Sequence, residues 1–330
     1  MIRYIIKRIL MIIPVVLMVA VVVFTVMYFC PGDPAELILG VTASAEDIQA
    51  LREKLGLTDP YLIQLGKYMY HTFLQFDLGS SYVNGVAIID ELALRFPKTL
   101  MLAASAIVLE LVIGIPLGMI AATHRGKWLD NLCMVLALIG VSVPSFWFGL
   151  QLLLLFAQNL KILPAYGVTQ WTGWILPIFV NSLRGIAQMA RQARSSMLEV
   201  IRSDYVVTAR SKGLSERTIL MRYVLPNALI PLIQVCGDSF GSSLGGTVVI
   251  ENVFSIPGIG QYMVQAIGGR DYAVIRSTVV VLSIAFSLVM LLVDLCFAFV
   301  DPRIKAQYEG SSKRRRKMRA MKRKGVPAGV

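Results

Sequence analysis

Charge is scarce in this sequence: Asp, Glu, Lys and Arg make up only 16% of 330 residues, against about 25% in a soluble domain. With 56% hydrophobic residues and a mean hydropathy of +0.68, that deficit excludes a soluble globular chain and implies an integral membrane protein. Period-two alternation is missing as well, which argues for helices rather than a barrel. Histidine is nearly absent. His71 and His124 are the only two, and neither has a metal-ligand neighbour at helical spacing. The four cysteines, Cys30, Cys133, Cys236 and Cys296, contain no C-x-x-C pair and lie in or beside apolar runs. This excludes a zinc site or disulfide framework and leaves them as small hydrophobes. A phosphate-binding loop is lacking too: Gly126-Lys127 is followed by Trp128 and has no glycine five residues earlier. Any energy from ATP must therefore come from a partner.

Long apolar runs are what the sequence has instead. A crossing needs roughly 20 apolar residues, and spans are expected near 9–29, 100–122, 132–156, 174–192, 228–250 and 278–300. Arg3, Lys7 and Arg8 precede the first, but its run is too long for a signal peptide and no A-x-A site follows, so it reads as an uncleaved helix. Lysine and arginine then orient the chain. With the N-terminus inside, the inner segments hold Arg125/Lys127, the Arg191-to-Arg222 stretch and the tail. The outer ones hold Lys161, Arg270, Arg276 and an insert, 30–99, whose basic residues face nine acids from Asp33 to Glu91. Both termini are expected in the cytoplasm.

The division is therefore 1–99 as first helix plus external segment, 100–306 as the membrane core and 307–330 as a basic tail. In the insert, Ser44 with Asp47 resembles a capping box, Gly56 can end that helix, and Asp59-Pro60 can start another. Two short external helices are expected, serving as a docking surface or as a spacer on the outer rim. The tail, Lys313 to Lys317 and Arg319 to Lys324, suits the anionic inner leaflet. No aromatic interleaving supports nucleic-acid binding.

Between two spans lies a polar, basic interruption from Asp204 to Pro226, inside a cytoplasmic loop spanning 193–226. Ser211 and Ser215 flank Gly213, which can take positive φ, and a helical pattern follows until Leu225-Pro226 stops it. This is a helix–glycine–helix elbow suited to docking into another protein.

Ionisable residues inside spans are costly and usually face a pathway or a partner. Glu110, Arg184, Asp238 and Asp294 are the candidates. Asn181, Arg184, Gln188 and Arg191 recur at three- and four-residue spacing as one polar stripe. Either the stripe lines a route for a polar solute, with Arg184 able to take a carboxylate, or Arg184 neutralises Glu110 or Asp238 as a structural pair. Gly237-Asp-Ser-Phe-Gly241 matches the G-x-S-x-G nucleophile pattern, but it lies within an apolar helix with no downstream histidine. Gly237, Gly241 and Gly245 instead form a small-residue ridge for helix packing, with Gly114 and Gly118 a weaker second one.

The elbow resembles the E-A-A-x-x-x-G-x(9)-I-x-L-P loop of ATP-binding-cassette importer permeases. Aligned on Gly213, Ala209 and Leu225-Pro226 match, while Val207, Thr208 and Tyr223 depart from the pattern. Pro31-Gly-Asp-Pro34, Ser142-Val-Pro-Ser-Phe-Trp147, Glu251-Asn-Val-Phe-Ser-Ile-Pro-Gly-Ile-Gly260, Arg270-Asp-Tyr272, and Asp294 through Asp301-Pro-Arg-Ile304 resemble the peptide/nickel group. The first permease subunit of dipeptide/oligopeptide importers is the most similar type, over residues 1–306. The resemblance implies an all-α, six-span type I permease in a bacterial or archaeal inner membrane. It implies a second permease subunit, two ATPase subunits carrying ATP and magnesium, and an extracytoplasmic solute-binding protein. The chain itself would hold no cofactor or metal and perform no catalysis. Asp204, Tyr205, Ala209, Lys212, Gly213, Leu214, Arg217, Leu225 and Pro226 would couple to the ATPase, and Asn181, Arg184, Gln188, Asp238 and Glu110 would line the path. Peptides are the implied cargo, with nickel or another small solute, or a self-contained secondary transporter, as alternatives.

Overall fold

The computed structural model describes residues 2–40 and 42–300, and nearly all of them are helical. The basic tail and the motif at 301–304 lie outside the described residues. In chain order the helices are α1 (Ile2–Phe29), α2 (Pro34–Leu39), α3 (Ala45–Lys54), α4 (Tyr61–Leu74), α5 (Ile88–Thr123), α6 (Trp128–Ser142) and α7 (Ser145–Asn159). They are followed by α8 (Ile175–Ile201), α9 (Asp204–Ser211), α10 (Glu216–Val253), α11 (Ile259–Gly268) and α12 (Tyr272–Val300).

Among the described residues, α1, α5, α10 and α12 are long and apolar enough to cross a bilayer as single helices. The expected span at 132–156 is not one straight helix: α6 and α7 meet at 99°. Pro144 causes the break, because proline disfavours the helical region for the residue before it, and Val143 is extended with φ −80° and ψ 126°. The 174–192 span belongs to α8, a 27-residue helix that Arg184, Arg191 and Arg194 make more polar than the four apolar ones. It occupies the centre of the bundle, packed against α5, α6, α7 and α10.

Small residues let the helices approach α8. Gly114 and Gly118 on α5 lie against Met189, Ala193 and the carbonyl oxygens of Ile186 and Ala190. The expected ridge on α10 is only partly a contact surface: Gly237 meets Val293 and Gly241 meets Phe286, both on α12, whereas Gly245 has no neighbour within 4 Å. The second ridge is therefore the less yielding one, because it meets backbone atoms of α8 as well as side chains, whereas Gly237 and Gly241 meet side chains alone.

The insert is a rim packed onto the start of α12. It holds three helices rather than two, since Asp33 caps α2 by accepting from Ala35 N–H at 2.8 Å, with Pro34 as the first helical residue. Ser44 caps α3, accepting from Asp47 N–H at 3.1 Å, and Gly56 follows its end with φ +68°. Asp59 is not a cap. Helix α4 starts one residue later, and the Asp59 carboxylate pairs with Lys67 at 2.6 Å. Two widely separated motifs meet here: the Tyr272 hydroxyl donates to the Pro31 carbonyl at 2.7 Å and lies against Gly32. Asp271, buried, accepts from Ser81 at 2.5 Å. At the opposite end, Arg8 pairs with Asp294 at 2.7 Å. One of the four intramembrane candidates thus has a structural partner.

Candidate functional site

Helix α8 carries the polar stripe because Asn181, Arg184 and Gln188 fall on one face while Gly185, Ala187, Ala190 and Ala193 fill the packed one. Glu110 comes from a π turn in α5, Glu110–Gly114, and Asp238 from α10. All five expected pathway residues line one cavity of about 870 Å³. Its wall is completed by the bend at Ser142–Ser145 and by Ser239, Ser242 and Ser243.

Arg184, Gln188 and Asp238 are exposed to this space, whereas Glu110 is 1% exposed at its floor. The Glu110 carboxyl sits directly over Gly185, where a Cβ would overlap it, and faces Ser239. Glu110 Oε2 and Asn181 Nδ2 are both buried without a hydrogen-bond partner. Among the described residues, neither Arg184 nor Asp238 forms an ion pair, so the structural pairing of Arg184 with Glu110 or Asp238 is not present. The cavity can therefore offer a cation, an anion, a buried acceptor and a buried donor to one solute. Ser239 is buried within α10 beside the Glu110 carboxyl, and no histidine lines the cavity among the described residues.

The elbow lies at the far end of α8. Helix α9 ends in a Schellman motif: Gly213 N–H donates to Arg210 O at 2.9 Å and Leu214 N–H to Ala209 O at 3.4 Å, with Gly213 at φ +77°. Ser215 then caps α10, accepting from Thr218 N–H at 3.4 Å. Arg210 spans the corner to Glu216 by two bonds of 2.8 and 3.2 Å, and this hydrogen bonding raises the Arg210 guanidinium above its ordinary value. Both side chains are largely exposed, so the pair adds little stability.

Val206, Ala209, Ile219 and Val224 root the corner in a core with Ala122 and Met197. Asp204, Tyr205, Lys212, Gly213, Leu214, Arg217 and Pro226 remain exposed, whereas Ala209 is buried and Leu225 is half-buried. Ala209 thus faces the bundle rather than a partner. Leu225-Pro226 does not stop the helix either. A π turn at Leu220–Val224 precedes it, and Pro226 enters as an early residue of the continuing helix. The wider turn relieves the clash and missing donor that proline would impose on a regular α-helix.

A buried acid was missed by the sequence reading. Glu251, fully buried, ties three segments together: Thr99 Oγ1 donates to Oε1 at 2.7 Å and Gln261 N–H to Oε2 at 2.9 Å, while Ile259 N–H donates to Thr99 Oγ1 at 2.9 Å. Gly258 and Gly260 lie against this carboxyl, where a Cβ would collide. The motif at 251–260 is thus a clasp folding α11 back onto α10. Glu251→Leu leaves the Thr99 hydroxyl and the Gln261 amide without their partner, costing about 1–3 kcal/mol. A clearly lowered unfolding temperature of the purified protein in detergent is expected, with Glu251→Gln much closer to wild type.

Comparison with known proteins follows the same outline. A family model described as "Binding-protein-dependent transport system inner membrane component" matches residues 114–306, and its N-terminal counterpart matches 1–103. A glutathione transport system permease protein of Salmonella paratyphi A is 40% identical over 305 residues, covering 92% of this chain and 99% of that one. A Brucella abortus protein, provisionally named a peptide transport system permease protein, is 41% identical over 309 residues, covering 91% and 98%. The inward-facing MetNI methionine transporter shares the fold at TM-score 0.55 and 20% identity, over 64% of this chain and 97% of that one.

Proposed function

The chain belongs to the inner membrane components of binding-protein-dependent transport systems, and from that membership we propose how it carries its cargo. It is a multi-pass permease subunit of an ATP-binding-cassette importer, and ATP is hydrolysed by partner ATPases rather than by this chain. The proposed cargo is a short peptide, delivered from outside by the binding protein, and the proposed path runs beside the polar face of α8.

The convergence of Glu110, Asn181, Arg184, Gln188 and Asp238 on one cavity carries this reading. A pathway for a polar solute must replace hydration with fixed donors and acceptors, and intramembrane charges facing a cavity supply them. A second, similar permease subunit closes the open side of the path. The exposed face of the 204–226 elbow sits in the ATPases, on the cytoplasmic side with both termini. Closure of the ATPases swings the elbow, which is rooted under α8, and the bundle switches between outward- and inward-facing states. ATP and magnesium stay on those partners, and this chain binds no cofactor of its own.

Reconstitution in liposomes tests the reading. The chain with a second permease, the ATPases and the binding protein is expected to accumulate trialanine only when ATP is supplied, and the chain alone to transport none. Accumulation by the chain alone would establish a self-contained transporter instead. Nickel uptake without peptide uptake by the full complex would move the cargo to the metal.

A further inference from the structure

We infer that the central cavity is a binding site selective for zwitterions, with Arg184 and Asn181 taking a free carboxylate and Asp238 and Glu110 taking a free ammonium. The inference rests on the peptide-pathway reading and adds to it a site within the permease itself. Its first support is charge of both signs facing one space without mutual pairing. Arg184 and Asp238 line the same cavity, yet no ion pair joins them, so each retains its capacity for a ligand. A solute of one sign would satisfy one of them and be repelled by the other. A dipolar solute satisfies both and brings no net charge into the bundle.

The second support is independent of those charges. Glu110 is 1% exposed, and its Oε2 has no partner. Asn181 Nδ2, on the Arg184 helix, is a buried donor without one. A buried polar atom without a partner costs about 1–3 kcal/mol, and the two lie on the wall of one cavity, one an acceptor and one a donor. A ligand with an ammonium at one end and a carboxylate at the other is complementary to both kinds of site. The guanidinium suits the carboxylate because it can donate two parallel hydrogen bonds. The cavity's volume of about 870 Å³ is within the range of small-molecule sites, about 300–1,000 Å³. Apart from Glu110, Arg184 and Asp238 the lining carries no charged residue, so the solute's side chains are not strongly selected.

Binding is measured by calorimetry on the purified permease–ATPase complex without the binding protein, using trialanine, N-acetyl-trialanine and trialanine amide. Wild type is expected to bind trialanine about tenfold or more tighter than either capped peptide, a difference of about 1.4 kcal/mol. Asp238→Asn should weaken trialanine by a similar factor and, by removing the repulsion, bind N-acetyl-trialanine at least as tightly as wild type does. Arg184→Gln should weaken trialanine and bind the amide at least as tightly as wild type does. Equal affinity of wild type for all three peptides, no binding at all, or variants that weaken all three alike would overturn the inference. If a variant complex loses its ATPases on purification, the wild-type series with the capped peptides decides alone. ATP-driven trialanine uptake by the complete wild-type system tests the peptide reading separately, so a flat calorimetric series beside normal uptake removes only this site.

Discussion

Gly213→Val is expected to leave the importer in the membrane while cutting ATP-driven uptake by about tenfold, with ATP hydrolysis either persisting unlinked to transport or falling because the ATPase no longer docks. The reason lies in backbone, not space. No atom lies within 4 Å of a Cβ at this position, so valine meets no clash, but φ +77° is a conformation that a β-branched residue occupies at a cost of about 1–3 kcal/mol. That strain is of the size that changes an equilibrium tenfold or more. It is relieved by opening the Schellman turn, which releases the bonds from Gly213 N–H and Leu214 N–H and lets α9 rotate against α10. The buried anchors Val206 and Ala209 would keep α9 attached to the bundle, so the fold survives while the exposed corner changes shape. Gly213→Asn, which tolerates positive φ, should restore most of the coupling. Parallel measurement of peptide uptake and ATP hydrolysis in proteoliposomes checks this, and normal coupled uptake by the valine variant would remove the elbow from the mechanism.

The elbow was legible because its signals are local. A glycine between two serines, a helical pattern on either side and basic residues at a membrane boundary can be read without knowing what packs where. The same holds for Ser44 as a cap and for the stripe Asn181–Arg184–Gln188. Signals that depend on tertiary arrangement were read less well. Apolar content in 132–156 could not distinguish a straight span from two helices at 99°, although Val143-Pro144 marks the break locally. Pro226 looked like a stop because proline disrupts a regular α-helix, and the π turn that admits it has no simple sequence signature. Asp33-Pro34 is a cap followed by a first helical residue, and it was there to read as a helix start. Glu251 lies just beyond the apolar run ending at 250, and nothing in its immediate neighbours marks it as buried. Its burial comes from Thr99, 152 positions away, and from the glycines of the following turn.

Glycine spacing shows the same division and leads to the second large effect. Four-residue spacing marks Gly237, Gly241 and Gly245 as equivalent, but only the neighbour decides what each tolerates. Gly118 is the most demanding position on α5: a Cβ there would lie 2.5 Å from the Ala190 carbonyl oxygen and the Ala193 Cβ, and 3.0 Å from the Arg194 amide nitrogen. Two of these three atoms are backbone, so no rotamer change makes room and α5 must move away from α8. Overpacking typically costs about 1–3 kcal/mol and occasionally more, and separation of these helices would also disturb Gly114 and the Glu110–Gly185 contact that sets the cavity floor. Gly118→Leu is therefore expected to reduce recovery of the assembled complex severely and to lower its unfolding temperature. Gly66→Leu supplies the comparison: Gly66 is helical, exposed and without neighbours within 4 Å, and leucine there has the higher helix propensity. That variant should assemble like wild type. If Gly118→Leu does so as well, the close packing of α5 on α8 does not hold the bundle together, and the cavity geometry built on that contact fails with it.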